Sequence, residues 1–168
     1  MIFSTKKLSL GAMAAVLIFA VTWTIKLPVP GTAGGYVNFG DVAIYVLSLV
    51  LGGPLAALAA AVGSALADVC AGAAVYVPAT FIIKGVMGLV CGLLARSRRF
   101  GAYCAACVLG GAIMALGYAL YEVALFGGAY ALAALPFNLL QWGGSAAAAI
   151  LLYPAAKRAA DVAGLTRA

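Results

Sequence analysis

The sequence predicts an all-α integral membrane protein with six transmembrane helices. Composition gives the first indication, because 67% of the 168 residues are hydrophobic and only 8% are charged. Soluble domains are about 25% charged, and ten basic and four acidic residues cannot cover a soluble protein of this length with polar surface. This composition excludes a soluble enzyme, a disordered chain and a secreted disulfide scaffold. The division into apolar segments and the placement of the basic residues give the other two indications.

Six apolar segments are separated by charges, prolines and glycine clusters. A helix needs about 20 residues, at ~1.5 Å each, to cross a hydrocarbon core of ~30 Å. The predicted segments cover residues 8–25, 38–52, 54–73, 79–96, 102–126 and 134–156. The second is short, so we expect it to begin within the Pro- and Gly-rich loop before it or to tilt. We predict one membrane domain covering residues 1–168.

The sequence Gly52-Gly53-Pro54 marks either a kink in one helix or a tight turn between two. Basic residues near the ends of spans favour the cytoplasmic side. Eight of the ten basic residues lie in three clusters, at residues 6–7, 96–99 and 157–167. All three clusters share one side only if Gly52–Pro54 is a turn. We therefore predict a turn and both termini in the cytoplasm.

The charged and amide residues within the predicted spans all fall in the outer half of the membrane. With ~1.5 Å of rise per residue, this layer contains Asp41, Asp68, Lys84, Glu122, Asn138 and Gln141. Charges at this depth usually face a partner or a water-filled cavity. A channel would need polar groups through the whole depth. The pattern therefore predicts a pocket open to the outside.

Helical spacing groups the candidate ligand-binding residues. Tyr118 and Glu122 are four residues apart and share one face, while Asn138, Gln141 and Trp142 share another. Aromatic rings beside an amide or carboxylate suit a flat polar heterocycle, which stacks and forms hydrogen bonds at its edge. Alternatively, the tyrosine and tryptophan are interfacial belt residues.

Two further charged groups are interpreted as structural. Asp68 and Lys84 lie at similar depth on consecutive spans, so we predict an ion pair that fixes the packing of those spans. Asp41 is expected to cap a helix or anchor the loop.

Several kinds of chemistry lack their usual residues. The chain has no His, and its four Cys lie inside apolar runs, so we predict no metal site and no cofactor. The basic residues are too scattered for a nucleic-acid site. No Gly-rich phosphate loop is present, so any ATP hydrolysis must take place on another subunit.

Several motifs carry a family resemblance by their order and spacing. They are Gly35-Tyr-Val-Asn-Phe-Gly-Asp41, Leu51-Gly-Gly-Pro54, Gly63-Ser-Ala-Leu-Ala-Asp68, Tyr76-Val-Pro-Ala-Thr-Phe-Ile-Ile-Lys-Gly85 and Pro136-Phe-Asn-Leu-Leu-Gln141. Together they resemble the substrate-binding S components of energy-coupling factor (ECF) vitamin transporters. Within that family the chain is most similar to the branch with hydroxymethylpyrimidine and pyridoxine-type transporters.

The resemblance implies a high-affinity vitamin site in the outer half of a six-span protein in a prokaryotic plasma membrane. It also implies partners, namely a transmembrane coupling subunit and two ATP-binding subunits. Gly11 and Ala15 fit the position in the first span that meets the coupling subunit. The loop at residues 28–39 would close over the substrate, and we include Tyr36 and Asn38 among the predicted substrate-binding residues.

The charge balance favours a neutral or weakly basic substrate. Three carboxylates face two lysines in the outer layer, so one carboxylate remains if Asp68 and Lys84 pair. An anionic substrate would need spare Arg or Lys. An aminopyrimidine or a pyridoxine-type compound fits. The alternatives are a riboflavin-type S component, a stand-alone carrier or channel, an intramembrane enzyme and a structural scaffold.

Overall fold

The computed structural model describes residues 5–162, which are almost entirely helical. The helices are α1 (Thr5–Thr24), α2 (Gly40–Leu51), α3 (Gly53–Ala71), α4 (Val77–Ala95), α5 (Phe100–Phe126) and α6 (Gly128–Val162). Two short strands, β1 (Lys26–Pro28) and β2 (Tyr36–Asn38), pair antiparallel between α1 and α2. A single 3-10 turn (Ala74–Tyr76) precedes α4.

The predicted division into six helical segments is confirmed. Gly52 separates α2 from α3 with a φ of 73°, a conformation that glycine adopts without steric cost, and Pro54 lies in the first turn of α3. Helix α2 has 12 residues, about 18 Å, whereas the other five are long and apolar enough to cross a membrane. The second segment is therefore short, as predicted.

Two local features differ from the prediction. Helix α6 begins at Gly128, earlier than the predicted residue 134, and Pro136 lies inside it. The alanine-rich stretch before that proline has high helix propensity. The segment after α1 contains the β1–β2 hairpin, whereas the sequence predicted only a loop there.

The helices pack as a ring in the order α1, α3, α4, α5 and α6, and α2 closes it between α6 and α1. Helix α2 also contacts α3 and α4. The hairpin marks one end of the bundle, called here the hairpin end. The loop between α4 and α5 marks the opposite, basic end, where Arg98 pairs with Asp161. Arg167, from the third basic cluster, lies outside the described residues.

Small residues bring the helices close together inside the chain. Gly63 packs against the backbone of Ala15, and Gly88 packs against the backbone of Ala56. Gly11 is buried against Leu55 of α3. Within the chain, this small-residue face of α1 therefore lies against α3. The contact of Gly11 and Ala15 with a coupling subunit stays a prediction.

The outer surface of the bundle is apolar. Large side chains are strongly exposed on several helices, including Met13 (64%), Leu120 (72%), Leu132 (71%) and Leu151 (81%). In water such a surface would be a liability. In a bilayer it contacts lipid tails of the same polarity.

Candidate substrate-binding site

A cavity opens at the hairpin end of the bundle. It encloses about 480 Å³, including its mouth, and lies between the hairpin and the ends of α3, α4, α5 and α6. Six of the seven predicted substrate-binding residues line it: Tyr36, Asn38, Tyr118, Glu122, Asn138 and Gln141. The structure thus brings together side chains that are up to 105 positions apart in the sequence.

Trp142 is the seventh predicted residue, and it does not line the cavity. Its indole lies on Gly111 of α5, where a Cβ atom would overlap the ring. Trp142 follows Gln141 directly, so it points about 100° away around the helix. With Gln141 turned toward the cavity, Trp142 faces α5 and packs against the core. Its role in the structure is helix packing.

The hairpin forms one wall of the cavity and is held by two side-chain contacts. The hydroxyl of Tyr36 donates to Asp68 Oδ1 at 2.5 Å. The backbone N–H of Asn38 donates to Gln141 Oε1 at 2.9 Å. Burial, together with the charge of Asp68, raises the pKa of Tyr36 well above its ordinary value. Tyr36 therefore keeps its proton and remains a hydrogen-bond donor.

The predicted ion pair between Asp68 and Lys84 is wrong. Lys84 pairs with Asp41, and both side chains are buried, with relative exposures of 2% and 0%. Depth along the helix was estimated correctly, but depth does not fix which helix a side chain faces. Helix α2 packs against α4 and places Asp41 beside Lys84. Asp68 instead meets the hairpin through Tyr36.

Asp41 therefore does more than the predicted capping or loop-anchoring role. It lies in the first turn of α2, but the side chain that accepts from the first backbone N–H of that helix, at Gly40, is Asn38 Oδ1 at 2.9 Å. Its Oδ1 accepts from Lys84, and its Oδ2 accepts from Gln141 Nε2 at 2.8 Å. Both ends of the Gln141 amide are thus engaged by protein groups. We call Asn38, Asp41, Lys84 and Gln141 the anchored cluster.

Glu122 is oriented by a chain of hydrogen bonds that begins at the hairpin. The backbone N–H of Ala33 donates to the Tyr130 hydroxyl at 2.6 Å. Tyr130 and Tyr76 share a hydrogen bond at 2.9 Å, and Tyr76 donates to Glu122 Oε1 at 3.2 Å. The carboxylate is held in place and has one oxygen already occupied.

Sequence reasoning missed three residues of this region: Tyr76, Thr80 and Tyr130. Tyr76 and Thr80 are four residues apart where α4 begins, and both line the cavity. Thr80 is hydrogen-bonded to Tyr118 at 2.8 Å. The four-residue spacing of the Tyr76 and Thr80 hydroxyl groups on one helical face could have indicated these two residues.

Three polar groups that line the cavity keep an atom without a hydrogen-bond partner among residues 5–162. They are the carboxylates of Asp68 and Glu122, through Oδ2 and Oε2, and the amide of Asn138, through Nδ2. Asp68 is 5% exposed and Glu122 is 4% exposed. Leaving a buried polar group unpaired costs about 1–3 kcal/mol. We call these three residues the open cluster.

The cavity is acidic. Asp68 and Glu122 line it, and within the described part of the chain no lysine or arginine does. Lys84 is engaged by Asp41. The ammonium of Lys26 lies over the rings of Trp23 and Tyr36, 5.5 and 5.8 Å from their centroids. The structure therefore leaves two carboxylates in the cavity, where the sequence analysis expected one.

Comparison with known proteins decides the family. Residues 2–158 match the family described as the ECF-type riboflavin transporter, S component. The chain belongs to this family of ECF S components. The family is one of substrate-binding transporter components, so the cavity lies in a protein of the class whose task is to bind a transported compound.

Two other proteins are similar to this chain in sequence. An uncharacterized protein of Pyrococcus woesei is 33% identical over 125 residues, which cover 74% of this chain and 83% of that protein. The thiamine precursor transporter HmpT of Lactococcus lactis is 34% identical over 88 residues, which cover 52% of this chain and 53% of that protein. The second alignment therefore spans about half of each chain.

Proposed function

We propose that this S component binds a vitamin or vitamin precursor with high affinity for ATP-driven uptake. The substrate is a small heterocycle such as hydroxymethylpyrimidine or a pyridoxine-type compound. The observation that carries the proposal is the cavity at the hairpin end, which combines tyrosine rings with two carboxylates and three side-chain amides. Small-molecule sites have this composition, with a few polar groups that fix the orientation of the ligand.

The similarity to a thiamine precursor transporter supports a substrate that is a small heterocycle. The acidic walls also support a neutral or weakly basic ring, because a phosphorylated ligand would meet two carboxylates without a compensating cation. The proposed site faces the outside of a prokaryotic plasma membrane. The basic end then faces the cytoplasm, in agreement with the positive-inside rule.

A riboflavin-type substrate is the second candidate, because the matching family is described by riboflavin transport. Calorimetric titration of the purified protein in detergent separates the two. We expect saturable nanomolar binding of hydroxymethylpyrimidine or of a pyridoxine-type compound and weaker binding of riboflavin. Tight binding of riboflavin alone would support the second candidate. Binding of neither class would refute the proposal.

The proposed partners are a transmembrane coupling subunit and two ATP-binding subunits. Uptake into vesicles tests this part separately. We expect substrate accumulation only when the coupling module and ATP are present with the S component. Accumulation by the S component alone would instead support a stand-alone carrier.

A further inference from the structure

The open cluster carries an inference about specificity that rests on the proposed function. Its three unpartnered atoms differ in hydrogen-bond character. Asp68 Oδ2 and Glu122 Oε2 are acceptors, and Asn138 Nδ2 is a donor. A ligand that satisfies them presents the complementary pattern, with donors toward the carboxylates and an acceptor toward the amide.

Glu122 is the best-defined member of this cluster. Tyr76 already donates to its Oε1, and that tyrosine is connected through Tyr130 to the hairpin. The carboxylate is therefore preoriented, and its Oε2 lies at the cavity wall with 4% of the residue exposed. A ligand donor placed there forms a charge-assisted hydrogen bond, which is stronger than a neutral one.

Asp68, on α3, repeats this arrangement. Tyr36 occupies Oδ1, while Oδ2 has no partner in the described chain. The neighbouring Thr80 hydroxyl is engaged with Tyr118. In both acids, a tyrosine fixes one carboxylate oxygen and leaves the second for the ligand.

We infer that Glu122 on α5, together with Asn138 on α6 in the same cavity wall, makes the site select ring amino or hydroxyl groups over ring carbonyls. An amino group donates to the carboxylate, and an adjacent ring nitrogen accepts from the Asn138 amide. A carbonyl at the same position places two acceptors against each other, which leaves both unpaired. The flavin edge has two carbonyls flanking one N–H, so it presents two acceptors and one donor to unpartnered wall atoms that are themselves two acceptors and one donor.

The inference disfavours riboflavin, the compound in the description of the matching family. The carbonyl edge of a flavin needs hydrogen-bond donors on the protein. Asn138 Nδ2 is the one buried side-chain donor without a partner among the described residues that line the cavity. Gln141, another amide of the wall, uses its Nε2 on Asp41. The buried unpartnered atoms of the wall are therefore two acceptors and one donor.

The test compares an aminopyrimidine with the pyrimidinone that has a carbonyl in place of the amino group. Calorimetry on the purified full chain measures both affinities, with riboflavin as a third ligand. We expect the wild type to bind the aminopyrimidine about 10- to 100-fold more tightly than the pyrimidinone. Equal affinities, or a preference for riboflavin, would overturn the inference while leaving a vitamin-binding function in place.

Glu122→Gln then assigns the selectivity to one residue. The carboxamide keeps the size of the side chain and adds a donor, so the preference for the amino compound should fall about tenfold or reverse. Full preference retained by a folded Glu122→Gln protein would overturn the role of Glu122. Ser64→Ala is the matched control, because Ser64 is a buried, unpartnered group outside the cavity wall and its loss should leave the preference unchanged.

The wild-type comparison of the two pyrimidines needs no variant, so it tests the selectivity even if Glu122→Gln does not fold. Asn138→Leu gives a second residue-level measurement. It removes the amide donor, and both pyrimidines should then bind about tenfold more weakly. Unchanged affinities would contradict the proposed contact. If the wild type binds none of the three heterocycles and no pyridoxine-type compound either, the proposed function and this inference are both refuted.

Discussion

The hairpin end contains two groups of polar residues, all buried except the half-buried Asn138, that differ in how completely they are hydrogen-bonded. In the anchored cluster, Lys84 pairs with Asp41, and Gln141 bridges Asp41 to the backbone of the hairpin. In the open cluster, Asp68, Glu122 and Asn138 each keep one unpartnered atom among the described residues. Buried polar groups normally find partners within the protein. The comparison therefore separates groups that build the site from groups that are available to a ligand.

The largest expected effect comes from breaking the ion pair of the anchored cluster. Lys84→Met should lower the free energy of unfolding by about 3–5 kcal/mol, because it leaves the Asp41 carboxylate buried without its cation. Thermal and denaturant unfolding in detergent measure this loss. Adding Asp41→Leu should restore most of the stability. Arg158→Met, at an exposed position, is the control; equal losses in Arg158→Met and Lys84→Met would contradict the structural role of the pair.

The partner of Lys84 shows where sequence reasoning reaches its limit. Residue rise along predicted helices placed Asp41, Asp68 and Lys84 in one layer, and the structure brings them all to the hairpin end. Which carboxylate the lysine meets depends on how the helices rotate and pack. That information lies in contacts between α2 and α4, two helices that are not consecutive in the chain.

Features set by local sequence were predicted well, and features set by contacts between distant helices were not. Charges, glycines and prolines defined the helices well because they act locally, and Gly52 ended α2 as expected. The cavity collected six predicted residues because depth and helical face together limit the choices. The sequence did not show that Trp142 packs on Gly111, because that glycine lies on a different helix and far from the tryptophan in the chain.

The second prediction concerns Gln141, which joins the Asn38 backbone of the hairpin to Asp41 within the anchored cluster. Gln141→Leu leaves the Asn38 N–H and Asp41 Oδ2 without this partner, so stability should fall by about 2 kcal/mol. The hairpin should also loosen, which hydrogen exchange at the Asn38 amide measures directly. Leu140→Ala is the control on the neighbouring exposed position. Unchanged exchange in the Gln141 variant would show that the bridge does not hold the hairpin.

A smaller effect is expected where the hairpin meets the open cluster. Tyr36→Phe removes one hydrogen bond to Asp68 and should cost about 1 kcal/mol of stability. Tyr153→Phe removes a tyrosine bond of 2.6 Å to the Arg98 carbonyl at the basic end and should cost a similar amount. Calorimetry should then show weaker ligand binding for Tyr36→Phe alone. Equal binding losses in both variants would mean that the effect arises from stability rather than from the site.

The smallest effect on stability is expected for Asp68→Asn in the open cluster. Comparing it with Asp41→Asn in the anchored cluster tests the division between the two clusters most directly. Asp68→Asn retains an oxygen that accepts from Tyr36, so the free energy of unfolding should change by less than about 1 kcal/mol. It replaces an available acceptor by a donor, so affinity for an amino-substituted ring should fall about tenfold. Asp41→Asn should do the reverse. It removes the charge that neutralises buried Lys84, so it should destabilise the fold strongly, as a broken buried pair does. If unfolding and titration gave the same pattern for both variants, the division into anchored and open clusters would fail, because a carboxylate that builds the fold and one that waits for a ligand must respond differently to losing their charge.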